Sequence, residues 1–269
     1  MSEPFAFVPV TPDRSRQKPR DTGLTMIIDD GVPLGAQRDL LNTGAAFVDI
    51  AKIKTGSARL YDEAALMAKI ALYREHGLEV FPGGQFLEYV LHMIGPKAAA
   101  RYWDEARRLG FGAVEVSDNV VAVDDELRRD LITGARSAGL RVFAEIGSKE
   151  DETAIETLIA QGRQSLDAGA DLLLVEAAEL IHGGRMRRDL FDALVASFDP
   201  ARLLFELPGP WIEGTCHHRI ESLAKMLVAE NGPDVNLGNV APDRIIDLEG
   251  IRCGLGVAGP PTILASEKQ

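Results

Sequence analysis

The amino-acid sequence predicts an α/β protein that folds as a single (β/α)8 barrel of the TIM type, and three observations support this prediction. Eight short apolar runs alternate with amphipathic segments along the chain of 269 residues. A glycine recurs where the clearest amphipathic segments pass into the next apolar run. No low-complexity linker divides the chain. We therefore expect one catalytic domain at residues 21–259, with an N-terminal arm at 1–20 and a C-terminal tail at 260–269.

The eight apolar runs are the predicted strands. They consist of β-branched and aliphatic residues with little alternation, which is typical of parallel strands that are covered on both faces. In chain order they are Leu24–Asp29, Phe47–Ile53, Leu78–Phe81, Ala113–Ser117, Arg141–Ile146, Asp171–Glu176, Arg202–Leu207 and Asp234–Val240.

The amphipathic segments between these runs are the predicted helices. Each has an apolar stripe at helical spacing and a glycine at the position of a C-cap. The clearest are Tyr61–His76, Lys97–Leu109, Asp124–Ala138 and Glu152–Ala168, which end at Gly77, Gly110, Gly139 and Gly169. An open doubly wound sheet is the alternative fold. The absence of a Gly-x-Gly-x-x-Gly motif after the first strand argues against its dinucleotide-binding form.

The composition disfavours several classes of partner. A formal net charge of −12 argues against nucleic acid and anionic membranes, since both attract proteins with a positive field. No apolar run is long enough to span a bilayer. The two cysteines, Cys216 and Cys253, lack a metal-binding spacing, and without a signal peptide they indicate reduced thiols in the cytoplasm. We expect small-molecule substrates.

Three predicted strands end on a glutamate, namely Glu145, Glu176 and Glu206. In a parallel barrel the carboxyl ends of all strands face one mouth, so these carboxylates should meet there. Buried carboxylates repel one another unless a cation or a shared proton relieves them. The pattern indicates a divalent-metal site or an acid/base site, and Mg²⁺ suits such oxygen ligands. Salt bridges to neighbouring strands are the structural alternative.

Other polar side chains follow the predicted strands and should share this mouth. Lys52 is interpreted as a charged partner of the acids, or else as a proton donor or an anion clamp. Glu115 is an acid that transfers protons or orients lysines. The loop from Gly238 to Asp243 offers backbone N–H groups to a phosphate. The further candidates are Lys149 for catalysis and, for substrate binding, Lys54, Ser117, Asn236 and Asn239.

Five motifs follow one another in order along the chain. They are Gly23–Asp29, Phe81–Gly84, Val114–Asp118, Val235–Asn239 and Leu248–Leu255. Together they resemble the phosphosulfolactate synthase family of coenzyme M biosynthesis, and the resemblance extends over nearly the whole chain.

The resemblance implies a (β/α)8 barrel and an Mg²⁺-dependent carbon–sulfur lyase that adds sulfite to phosphoenolpyruvate, giving (2R)-phospho-3-sulfolactate. It also implies a homo-oligomer, for which a trimer is one form. In this chemistry Lys52 or Lys149 is the expected proton donor to C2. Glu145, Glu176 and Glu206 are the expected metal ligands or orienting groups.

The chain departs from the family pattern where the family has cations. After the sixth strand Glu-Gly-Arg-Glu-Ser-Gly is replaced by Glu-Ala-Ala-Glu-Leu-Ile from Glu176, which removes one arginine. A second arginine is lost after Leu255. Lys54 and Arg185, with its neighbours Arg187 and Arg188, are the expected replacements at the substrate.

Two other functions stay open at this point. One is a related lyase that uses another enol phosphate or another nucleophile. The other is a non-catalytic protein similar to the heat-stress-associated plant members of the family.

Overall fold

The computed structural model describes residues 4–11, 13–147, 153–182, 185–212 and 215–255, and within them strands and helices alternate. The strands are β1 (Thr25–Asp29), β2 (Ile50–Ile53), β3 (Glu79–Pro82), β4 (Ala113–Val116), β5 (Arg141–Ile146), β6 (Leu172–Glu176), β7 (Ile181–His182), β8 (Arg185–Met186), β9 (Leu203–Glu206) and β10 (Leu237–Val240). The helices are α1 (Leu34–Gly44), α2 (Glu63–Glu75), α3 (Gly84–Ile94), α4 (Ala99–Leu109), α5 (Asp125–Ser137), α6 (Ile155–Asp167), α7 (Arg188–Ser197), α8 (His217–Asn231) and α9 (Ile245–Arg252).

Eight of these strands form one parallel sheet in the order β3-β2-β1-β10-β9-β6-β5-β4. The two end strands approach each other, and the Gly112 amide before β4 donates to the Val80 carbonyl of β3 at 3.1 Å. The sheet is therefore a nearly closed barrel, and the predicted (β/α)8 fold is confirmed. β7 and β8 form a short antiparallel hairpin after β6, which the sequence pattern did not predict.

Two strands begin three residues later than the apolar runs that predicted them, and the other six begin within one residue of the prediction. The run from Phe47 becomes a strand only at Ile50, because Ala45–Phe47 forms a turn of 3-10 helix. The run from Asp234 becomes a strand only at Leu237. The preceding side chains bind other parts of the chain at the amino end of the barrel.

The predicted helix ends are held by local backbone chemistry. The Asp62 side chain accepts hydrogen bonds from the first N–H groups of α2, which have no partner within the helix. Gly110 ends α4 with φ of 99°, in the left-handed region that glycine adopts without steric cost. Gly77, Gly139 and Gly169 likewise have positive φ. The glycine pattern thus identifies four helix ends correctly.

Apolar side chains fill the middle of the barrel. Members of this floor include Met26, Ile50, Phe81, Ala113, Phe143, Leu174 and Leu204, all buried. The Phe81 and Phe143 rings meet edge to face with centroids 5.0 Å apart. Burial of one such ring stabilises the fold by about 1.5–3 kcal/mol, so the interior is a packed core and not a pore.

The N-terminal arm covers the amino ends of the strands. Arg14 forms ion pairs with Glu249 at 2.9 Å and with Asp234 at 3.0 Å, and its side chain is fully buried. Arg20 binds Asp49 through two hydrogen bonds of 3.1 and 2.9 Å. Each buried cation has carboxylate partners in good geometry, which offsets the cost of its desolvation. The arm therefore ties the last helix and strand to the start of the barrel.

None of the described helices combines the length and the apolar character that a bilayer crossing requires.

Candidate active site at the carboxyl ends of the strands

A charged layer lies directly above the apolar floor, towards the carboxyl ends of the strands. Each of its members stands two residues beyond a floor residue on the same strand, so strand alternation points it into the same interior. Each is at most 7% exposed to solvent. The members are Lys52, Glu115, Glu145, Glu176 and Glu206.

Lys52 is the cation of this layer. Its Nζ lies 2.9 Å from Glu115 Oε2 and 3.0 Å from Glu206 Oε1. Burial alone would lower the pKa of Lys52, but the charges of Glu115, Glu206 and Glu145 outweigh burial and hold that pKa above its usual value. Lys52 therefore carries a positive charge at physiological pH.

Glu115 is an acid of this layer whose pKa is raised. Burial, opposed by Lys52 and reinforced by Glu145 and Glu206, raises the pKa of Glu115 to about 8. A hydrogen bond between the Glu115 and Glu145 carboxyl groups acts in the same direction. Near neutral pH the layer thus shares a proton, which is one way to relieve repulsion among buried acids.

Glu145, Glu176 and Glu206 converge as the sequence predicted. Each brings one carboxylate oxygen into a group whose members all lie within 4.8 Å of one another. Glu206 Oε2 is buried and accepts no hydrogen bond from the described part of the chain. Hard oxygen ligands at this spacing fit Mg²⁺, which takes one or two carboxylates and keeps several waters. The trio therefore fits a divalent cation, and its role as a ligand set stays a prediction.

A cavity of about 330 Å³ opens above the charged layer. Lys52, Glu115 and Glu206 line its bottom. Six strands supply the walls, either directly or through the loops that follow them. These walls include Ile28, Lys54, Gly84, Gln85, Asn119, Trp211 and Asn239. A small anionic molecule placed here contacts the acids, the lysines and free backbone groups together.

The amino end of α3 faces this cavity through Gly84 and Gln85. A Cβ atom at Gly84 would lie 2.2 Å from Ser117 Oγ and 2.9 Å from Glu115 Oε1, so only glycine permits this approach. The first N–H groups of a helix have no intrahelical partner and favour negative charge. The double glycine thus brings an anion-binding helix end beside the acids.

Lys54 and Asn239 are the other polar walls of the cavity. The Lys54 ammonium lies over the Trp211 ring, 4.4 Å from its centroid. No carboxylate of the described residues lies within ion-pairing distance of Lys54. Asn239 has φ of 53° and is 8% exposed, and its Oδ1 has no hydrogen-bond partner among the described residues. Both side chains are available to a ligand.

Two residues that were predicted to bind substrate make contacts within the fold. The Ser117 hydroxyl donates to Glu88 at 2.5 Å, and Glu88 also accepts from the N–H groups of Val120 and Val121. Glu88 of α3 thus joins Ser117 and the loop after β4 to that helix. Asn236 lies at the amino end of β10, where its amide binds Leu24 N and Leu203 O. The prediction placed it at the mouth, whereas it precedes the strand and lies at the opposite end.

The predicted replacement cations differ in their contacts. Arg187 is paired with Glu179 at 3.1 Å, and Arg188 with Glu230 at 2.8 Å, so both already have carboxylate partners. Arg185 lies in β8, and its part in binding stays a prediction. Lys149 lies outside the described residues.

The predicted phosphate loop after the last strand has a mixed outcome. Asn239 lines the cavity, but Pro242–Arg244 forms a separate 3-10 turn before α9. This loop borders a second, mostly apolar cavity of about 410 Å³.

Sequence reasoning missed Trp211 and the amino end of α3 as walls of the site. The Gly83-Gly84 pair after the third strand was the available signal for the helix end.

The fold and its charged mouth define the class of protein. A (β/α)8 barrel with ionisable side chains at its carboxyl mouth is the arrangement of barrel enzymes in general. Residues 13–257 match the family model described as (2R)-phospho-3-sulfolactate synthase (ComA). The chain therefore belongs to the phosphosulfolactate synthase family.

Individual relatives agree with this membership. Over 261 residues the chain is 33% identical to a phosphosulfolactate synthase of Methanothermobacter thermautotrophicus, covering 93% of this chain and 95% of the relative. Over 266 residues it is 24% identical to the protein heat-stress-associated 32 of Arabidopsis thaliana, covering 88% of this chain and 87% of that protein. The synthase relatives support an enzyme.

Among solved structures, 3-hexulose-6-phosphate synthase from Salmonella typhimurium superposes with a TM-score of 0.51 at 19% identity, covering 84% of this chain and 98% of that one. At this identity the likeness shows the fold alone.

Proposed function

We propose that this protein is an Mg²⁺-dependent carbon–sulfur lyase that adds sulfite to phosphoenolpyruvate and forms (2R)-phospho-3-sulfolactate, as a step of coenzyme M biosynthesis. The observation that carries the proposal is the trio of buried glutamates beside Lys52, at the bottom of a cavity with anion-binding walls. Family membership supplies the choice of substrates.

The walls suit the phosphate of the substrate. Lys54 offers an ammonium group without a carboxylate partner among the described residues, and α3 offers free backbone N–H groups. Asn239 offers an amide that its own surroundings leave incompletely bonded. These groups replace in part the two arginines that the family pattern has and this chain lacks.

The reaction requires stabilisation of a growing negative charge. The sulfur lone pair of sulfite attacks C3, a C–S bond forms, and the π electrons of C2=C3 move towards the substrate carboxylate. Mg²⁺ held by Glu145, Glu176 and Glu206 would supply electrostatic stabilisation of that carboxylate. Lys52 adds a fixed positive charge that is present in the resting protein.

C2 then accepts a proton, and the chain offers two lysine donors. Lys52 carries a proton at physiological pH and lies at the bottom of the cavity, with Glu115 holding its ammonium group in place at 2.9 Å. Lys149 is the second donor. Solvent returns the proton to the lysine after product forms, so the cycle consumes one sulfite, one proton and one phosphoenolpyruvate.

The direct test is incubation of the protein with phosphoenolpyruvate, sulfite and Mg²⁺, with loss of enol absorbance as the readout and product mass as confirmation. Glu176→Gln keeps the volume of the side chain but removes its charge, so we expect turnover to fall by orders of magnitude in a folded protein. Glu156→Gln on the exposed face of α6 is the matched control. Near-normal turnover of Glu176→Gln would remove that residue from the site.

The relationship to the heat-stress-associated plant protein favours a second candidate, a protective protein without catalysis. Metal binding separates the two functions. A cation at one hundred times its dissociation constant stabilises the folded state by about 2.7 kcal/mol, whereas an inert barrel gains nothing. A melting temperature that rises with Mg²⁺ in the wild type, but not in Glu176→Gln, supports the enzyme. Metal-dependent stabilisation without sulfite addition would favour a related lyase with another enol phosphate or nucleophile.

A further inference from the structure

Trp211 lines the cavity and belongs to none of the five sequence motifs. It belongs to the loop after β9, whereas its neighbour Lys54 directly follows β2. The Lys54 ammonium lies 4.4 Å from the centroid of the indole ring, and both residues line the 330 Å³ cavity. The contact therefore connects two sides of the mouth.

The ring packs against the backbone of its own loop. A Cβ atom at Gly209 would lie 2.1 to 2.3 Å from three atoms of the indole, so the ring rests directly on the backbone of that residue. The Ile212 amide donates to the Gly209 carbonyl at 3.0 Å and closes the turn that carries Trp211. Prolines on both sides of Gly209 restrict the backbone further. The turn thus supports the indole beneath the lysine, although 37% of Trp211 is exposed.

The two lysines of the cavity have opposite surroundings. Lys52 is held between Glu115 and Glu206, whereas Lys54 has an aromatic face and, in the described chain, no carboxylate within ion-pairing distance. The attraction between an ammonium group and an indole face is electrostatic and needs no hydrogen bond. The N–H groups of the lysine therefore stay available to another partner. Lys54 is therefore held in place without being neutralised.

We propose that Trp211 is a positioning residue that holds the Lys54 ammonium at the cavity edge, where it receives the phosphate of the substrate. This inference rests on the proposed function for the identity of the anion, phosphoenolpyruvate. Trp211 also lines the apolar cavity of about 410 Å³, as do Ile28 and Asn239, so it stands where the charged and the apolar cavities adjoin.

Steady-state kinetics of four proteins test the positioning role: wild type, Trp211→Leu, Lys54→Met and the double variant. We expect Trp211→Leu to raise KM for phosphoenolpyruvate about 2- to 30-fold with a smaller change in kcat, the range that a cation–π contact supports. Trp211→Phe, which keeps an aromatic face, should recover part of that loss. In the Lys54→Met background the same Trp211→Leu change should have little further effect. Additive losses in the double variant would overturn the proposal.

Fluorescence tests the same contact without turnover. The chain has two tryptophans, and Trp103 is 3% exposed in the apolar core, so Trp103→Phe leaves Trp211 as the emitter. Phosphoenolpyruvate with Mg²⁺, or inorganic phosphate alone, should change the emission of Trp103→Phe, and Lys54→Met should weaken that response at least severalfold. If Trp103→Phe does not fold, the difference between wild type and Trp211→Phe gives the same signal.

The outcomes separate this inference from the proposed function. If the wild type forms no sulfolactate product but inorganic phosphate still changes Trp211 emission through Lys54, the reaction is wrong and the anion contact stands. If product forms but neither anion changes Trp211 emission, and Trp211→Leu has a normal KM, the positioning role is wrong and the reaction stands.

Discussion

Lys52 offers the sharpest test of the charged layer, because it is the one cation that the described residues place among four buried acids. We consider the substitution Lys52→Met, which keeps the length of the side chain and removes its charge. Glu115 and Glu206 would then lose a partner at 2.9 and 3.0 Å while both carboxyl groups stay buried.

The expected loss follows from this geometry. Removal of one partner from a buried ion pair costs about 3–5 kcal/mol, since it leaves an uncompensated charge in the interior. Methionine packs well in an apolar site, so lost volume adds little. For a large single domain each kcal/mol lowers the melting temperature by about 2–4 °C, which gives a decrease of about 6–20 °C.

Thermal and urea denaturation at pH 8 with a chelator measure this loss. The same measurement at pH 5 should show a smaller loss, because Glu115, whose pKa is raised to about 8, is then protonated and no longer needs the lysine. Lys97→Met is the matched control, because Lys97 is exposed and should change stability by less than about 0.5 kcal/mol. A loss below about 1 kcal/mol at pH 8, equal to that at pH 5, would refute the idea that Lys52 balances the acids.

Three further predictions concern other parts of the structure. Gly84→Ala should lower stability by about 1–3 kcal/mol in urea denaturation and weaken binding of phosphoenolpyruvate, since the new Cβ would lie 2.2 Å from Ser117 Oγ. Gly35→Ala in α1 is the control and should be neutral or stabilising, because its Cβ meets nothing within 4 Å. Arg14→Met should cost about 3–5 kcal/mol in the same assay because it strands Glu249 and Asp234, whereas exposed Arg38→Met should cost almost nothing. The pKa of Glu115 in the folded state lies above its ordinary value, so protonation of this group stabilises the folded protein. Its contribution to the free energy of unfolding is complete below pH 4.5 and is lost as the pH rises to about 8. The melting temperature of metal-free protein should fall across this window, and Glu115→Gln should flatten the decrease; an unchanged slope would contradict the assignment.

The barrel could be predicted from the sequence because its signals are local. Strand composition and glycine C-caps depend on neighbouring residues, and Gly77, Gly110, Gly139 and Gly169 all have the expected positive φ. The β7–β8 hairpin was missed because two-residue strands carry almost no pattern. Asp234 was included in a strand because apolar residues follow it. Its side chain is instead bound by Arg14 of the arm, and sequence patterns do not show a contact between residues 220 positions apart.

Site residues that lie at strand ends could be predicted from the sequence, whereas those that depend on the shape of a loop could not. Glu145, Glu176 and Glu206 converge because each is an inward residue at the end of its strand. Asn236 seemed equivalent, but the strand begins one residue later, so its amide faces the amino end of the barrel. Trp211 reaches the mouth only through the shape of the turn at Gly209, which strand periodicity does not encode.

The two ends of the barrel pair their buried charges differently, and this difference bears on function. At the amino end Arg14 and Arg20 are matched to Glu249, Asp234 and Asp49 by close hydrogen bonds, which is the balance that a structural cluster needs. At the mouth Glu206 is paired with Lys52 through Oε1, whereas its buried Oε2 has no hydrogen-bond partner among the described residues. A buried carboxylate oxygen without a donor lowers stability, and an apolar side chain like those of the floor would be no less stable there. Stability alone therefore does not account for Glu206 at the mouth, whereas binding of a ligand at its second oxygen does.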